Sequence, residues 1–73
     1  MAAEPMLPRI DEPEGWDRPG RGRAARVQFT DGSWRCATVL GWRHREDRWY
    51  AHLQWPGGSS DWLAYDPKYI RPE

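Results

Sequence analysis

The sequence predicts an all-β domain, a small five-stranded antiparallel barrel with one short helical turn before the last strand. Three observations predict it. Asp31-Gly32 separates two stretches rich in β-branched and aromatic residues, and such a dipeptide there marks a tight hairpin because Gly readily takes the positive φ that the turn requires. Around it the chain alternates with period two: Val27 and Phe29 against Arg26, Gln28 and Thr30, then Arg35, Ala37 and Val39 against Trp34, Cys36, Thr38 and Leu40. That period belongs to a strand, since successive side chains of a strand point to opposite faces. Further apolar runs follow, each bounded by residues that reverse the chain.

The elements follow in order. Ala24 to Thr30 is the first strand, and Trp34 to Arg43 a long second one in which Gly41 marks a bend or bulge. His44 to Arg48 is a charged turn. Trp49 to Trp55 is the third strand, and Pro56 to Asp61 has the composition of a reversal. Trp62 to Tyr65 is a short fourth strand. Asp66 can cap a helical turn and Pro67 fits its first position. Ile70-Arg71 is a brief last strand, stopped by Pro72.

Residues 1–23 carry four Pro, three Gly and charges of both signs. Such a segment buries too little to offset chain entropy and reads as a flexible or disordered leader, with the barrel domain at 24–72. About 50 residues then fold, a size at which a core contributes only ~3–5 kcal/mol net. Cys36 is the single cysteine, so no disulfide within the chain adds to this. Six Trp, three Tyr and one Phe remain as compensation. Each indole buries ~150–250 Å², so two or three buried Trp are expected to stabilise the core, leaving the others partly exposed.

Eleven basic residues balance eleven acidic ones, which argues against strong non-specific attraction to nucleic acid or to a membrane surface. There is no apolar run of membrane-spanning length and no apolar signal segment. A cytoplasmic protein without cofactor or metal is expected. Ten of the eleven basic residues are Arg, and this usage, with plentiful Ala, Gly and Pro, tracks GC-rich coding DNA such as that of a high-GC bacterium.

The pattern Val27-x-Phe29-x-Asp31-Gly32-x-Trp34-x-x-Ala37-x-Val39-Leu40 resembles a Tudor-type domain of the Src-homology-3-like small-barrel superfamily. Leu53-x-Trp55 before a Gly turn, and Asp66 to Ile70, are similar to later parts of such domains. The resemblance implies an aromatic cage for a methylated cation. Phe29 and Trp55 stand at two of its positions, Arg35 at a third, and Pro56 to Gly58 supply no aromatic for the fourth.

The expected function is a non-catalytic interaction module that binds a protein or peptide, since Trp, Tyr and Arg dominate binding hot spots. Its candidate surface is Phe29, Trp34, Arg35, Trp42, Trp55, Trp62 and Tyr65. The alternative is a nucleic-acid-binding module that stacks bases on the same rings, aided by Arg18, Arg21 and Arg23. Arg21-Gly22-Arg23 also resembles the centre of an AT-hook, with Ala24 where that motif has Pro.

Overall fold

The computed structural model describes residues 3–73 and is all-β. Six strands, β1 (Arg9–Ile10), β2 (Trp16–Gln28), β3 (Trp34–Arg45), β4 (Arg48–Gln54), β5 (Ser60–Ala64) and β6 (Ile70–Pro72), form one antiparallel sheet in the order β1-β5-β4-β3-β2-β6. Two expectations need correction. The sheet has six strands rather than five, and it is not a closed barrel, because β1 and β6 remain as its edges. The residues expected to make a helical turn form no helix. Tyr69 and Ile70 donate their amides to the Asp66 carbonyl at 3.0 and 2.9 Å, and the Asp66 carboxylate accepts from the Lys68 amide at 2.9 Å.

The hairpin at Asp31-Gly32 is present. The Gly32 amide donates to the Phe29 carbonyl at 2.9 Å and Phe29 in turn to Ser33 at 2.8 Å, with Gly32 at φ +86°. A residue with a Cβ is strained there. Asp31 accepts both the amide and the hydroxyl of Ser33, at 2.9 and 2.5 Å. The Ser33 hydroxyl, then its amide, and then Arg35 hold the Asp31 carboxyl below the usual carboxylate range.

The core comes from one face of this single sheet. Ala25 lies opposite Ala37, Val27 opposite Ile70, Val39 opposite Leu53 and Ala51 opposite Leu63. Residues directly opposite share a face, and all eight are buried, with Phe29 beside them. No second layer covers that face, so the sheet has to curl around it. The register break in β3 between Val39 and Gly41 supplies the bend, with Leu40 bulged out against β4. The resulting radius of gyration, 11.5 Å, is close to the ~11 Å expected for a chain of this length.

The core is aliphatic rather than indole-based. Its largest fully buried side chains are Leu53, Leu63, Ile70, Val27 and Val39, and of the six Trp only Trp62, at 9% exposure, is buried. Ala at three inner positions explains this: a tightly curled sheet leaves no room for a ring there.

The segment expected as a leader differs most. Residues 16–23 form the first half of β2 and pair with β3, Trp16 opposite His44 and Arg18 opposite Trp42. Arg9 and Ile10 pair with Leu63 and Trp62 of β5, and the Met6 and Thr30 amides exchange hydrogen bonds with Gln28 and Glu4 carbonyls at 2.9 and 2.7 Å. Met1 and Ala2 lie outside the described residues. The physical reason is Arg43 on the outer face. Its guanidinium bonds Asp17 at 2.6 Å and donates to the Pro13 carbonyl at 2.6 Å, with Glu12 at 3.6 Å and the Trp62 ring 4.8 Å away. Charged hydrogen bonds of this kind contribute ~1.5–3 kcal/mol, enough to hold a segment with little apolar surface. Arg43→Gln should therefore free residues 11–15, read as new cleavage after Glu14 by a glutamate-specific protease while the core stays folded. Unchanged resistance would show that the segment is held elsewhere.

Candidate functional site

The seven aromatic and Arg candidates do not form one surface; the fold separates them into three groups. Phe29, Arg35 and Trp55 stand together at one end. Phe29 is 5% exposed, its ring lies edge-on to Trp55 at 5.5 Å, and the Arg35 guanidinium sits 4.2 Å over it. Arg35 is also bonded to Asp31 at 3.2 Å, and the Trp55 indole N–H donates to Asp61 at 2.6 Å. Asp61, and less strongly Glu4, also hold Arg9 more firmly protonated than usual. The Phe29 ring face is thus covered by a cation of the chain itself, while the half-buried Trp55 lines a separate opening with Pro56 to Gly58.

Trp62 belongs to the second group, on the outer face. It is stacked on His52 at 4.5 Å with Arg43 over it, and His52 shares a hydrogen bond with Ser60 at 3.2 Å. It is 9% exposed and lines an opening on that face with Arg18, Trp42, Arg43 and His52. Trp34 is half-buried under the Arg71 guanidinium at 4.5 Å.

Trp42 and Tyr65 form the third group, and here the structure joins them to residues read separately in the sequence. The two rings meet edge-to-face at 5.2 Å. With Arg18, Pro19, Arg21, Arg23, Trp49 and Pro72 they line an open cleft of about 500 Å³. The three candidate arginines of that segment, Arg18, Arg21 and Arg23, are therefore brought to the aromatics. Trp49 is the residue that sequence reasoning missed as part of a binding surface. It is 39% exposed and stacks on His44 at 4.4 Å. The signal was its place beside the charged His44 to Arg48 turn, which puts it beyond the core.

The register explains the assembly. Trp16, His44 and Trp49 lie opposite one another across β2, β3 and β4, as do Arg18, Trp42 and Ala51 in the next row. Both rows lie on the face that carries the core: the second ends on the buried Ala51, and the first lies one step beyond it. The kink Gly20-Arg21-Gly22, where β2 inserts three residues between Pro19 and Arg23 against one in β3, sets Arg21 and Arg23 along the cleft. A second opening, lined by Asp47, Arg48, Trp49, Ala64 and Tyr65, shares Trp49 and Tyr65 with the first.

Among the described residues no polar or charged side chain is buried, and no three His, Cys, Asp or Glu cluster as a metal site. Cys36 is exposed. No helix of the described residues is long and apolar enough to cross a membrane. The chain matches no protein-family model, no curated protein and no solved structure.

Proposed function

We propose that this chain is a non-catalytic interaction module whose partner docks on the aromatic and arginine cleft formed by β2, β3 and β4. The observation that carries the reading is that Trp49, Trp42 and Tyr65 are held in one place with three Arg, Trp42 and Tyr65 resting against the edge of the core and Trp49 left 39% exposed. Exposed aromatics gathered with Arg mark interaction sites more often than they serve stability. Kinship with Tudor-type domains is part of the same proposal. It rests on the sequence pattern from Val27 to Leu40, while ligand capture moves away from the Phe29 end, where Arg35 occupies the ring face. A cytoplasmic setting is supported by the single cysteine, Cys36.

The test uses two labelled probes, a peptide alternating Glu and Tyr and a single-stranded oligonucleotide. At least one is expected to bind, and Trp49→Ala is expected to weaken whichever binds by roughly fivefold or more. Binding of neither, or binding indifferent to Trp49, overturns the reading. A trimethyl-lysine peptide is expected not to compete.

A further inference from the structure

We propose that the occupant of this cleft is single-stranded nucleic acid, its bases stacked on the aromatic rows and its phosphates set against Arg18, Arg21 and Arg23. The inference rests on the interaction-module reading above and adds the partner's chemistry.

Charge distribution is the first argument. The chain is neutral overall, but its carboxylates are not spread evenly over its arginines. Arg9, Arg26, Arg35 and Arg43 each have a carboxylate within 4.0 Å. Among the described residues Arg18 and Arg21 have none; Arg18 donates only to the Asp17 carbonyl, and Arg23 to the main-chain oxygen of Glu73, the last residue of the sequence. No carboxylate lines the cleft they share; Asp47 stands on the opening that shares Trp49 and Tyr65 with it, and Glu12 and Asp17 on the one that shares Arg18, Pro19 and Trp42.

Ring geometry is the second argument. Neighbouring strands lie ~4.8 Å apart, so the row Trp16, His44 and Trp49 offers flat rings across ~10 Å, with Trp16 at 75% exposure. The next row adds Trp42, braced by Tyr65. Each nucleotide brings one planar base and one anion. The cleft offers Trp42, Trp49 and Tyr65 beside Arg18, Arg21 and Arg23, the same one-to-one ratio. A duplex keeps its base faces stacked inside and cannot use the rings, whereas unpaired bases can. An acidic peptide satisfies the arginines but not, residue for residue, the rings.

Fluorescence anisotropy on the whole chain tests this, with labelled dT8 and rU8, an eight-base-pair duplex and the Glu-Tyr peptide between 50 and 200 mM salt. The single strands are expected to bind, and the duplex and peptide much more weakly. For about three phosphates the slope of log K against log salt should be about −2. Trp49→Ala should weaken binding by roughly 5–150-fold. Arg21→Ala, on an exposed kink where the native side chain already sits at φ +59°, should make the slope shallower by about 0.7, and circular dichroism of both variants should match wild type. Tight, Trp49-dependent binding of the peptide without the oligonucleotides overturns the nucleic-acid inference and leaves the module reading standing. Binding of no probe removes both. Oligonucleotide binding that follows the arginines but ignores Trp49 also overturns the inference, because simple charge attraction then suffices.

Discussion

Leu53→Ala should leave the chain largely unfolded under conditions in which Trp49→Ala stays folded. Leu53 is fully buried opposite Val39, in the middle of the only core the sheet has. Removing it forfeits the transfer energy of the lost carbons and leaves a cavity, ~2–5 kcal/mol together. A chain of 73 residues at ~0.05–0.15 kcal/mol per residue holds only about 4–11 kcal/mol in total. Trp49, far larger, is 39% exposed and stacks on His44, and cross-strand pairs of this kind are worth ~0.2–1 kcal/mol. Urea titration reads both. Equal midpoints for the two variants would show that the indoles, not the aliphatic row, hold the fold.

Gly20→Ala is the second large effect. A Cβ at Gly20 would stand 2.4 Å from the Val39 carbonyl oxygen, 2.6 Å from the Gly41 nitrogen and 2.7 Å from the Leu40 carbonyl carbon. All three are backbone atoms of β3, so relief requires the two strands to part at the bend on which the core depends. The expected cost is ~3 kcal/mol or more, a fall in Tm of at least ~12 °C at ~4–8 °C per kcal/mol for a domain of this size. Gly22→Ala is the control. Gly22 has φ +65° but open space around it, so only conformational strain is added, ~1–2 kcal/mol. The Tm of Gly20→Ala should fall well below that of Gly22→Ala. Equal losses would mean that the close approach of β2 and β3 is not needed. Because the kink also aims Arg21 and Arg23 along the cleft, a Gly20 variant that folds should bind less well.

These contrasts show where the sequence was informative. The Asp31-Gly32 hairpin and the bend at Gly41 were legible because each depends on a local conformational demand. The alternation through Val27, Ala37, Val39, Ala51 and Leu53 was legible because the core lies on one face. The first half of β2 was hidden because its inner positions are Trp16 and Arg18, which give no apolar period, and because Pro19, Gly20 and Gly22 look like linker. Pro19 is tolerated there since β2 has no partner on its outer side before Ala24; β6 pairs only with residues 25–27. The union of Arg18 with Trp42 depends on register across a kink, which no local pattern encodes. Size misled as well: rings large enough to fill a core were excluded from it by curvature, and this left them for the cleft.

Pro19 has one more effect. A row of outward-facing amides invites any extended chain to add itself, and repetition of that event builds fibres. Along the outer rim of β2 the missing amide of Pro19, the kink after it and the short cover of β6, itself ending in Pro72, cut that row into pieces too brief to be templated. The rim that carries the arginines can thus stay open to a charged visitor while giving another copy of the chain little to zip onto.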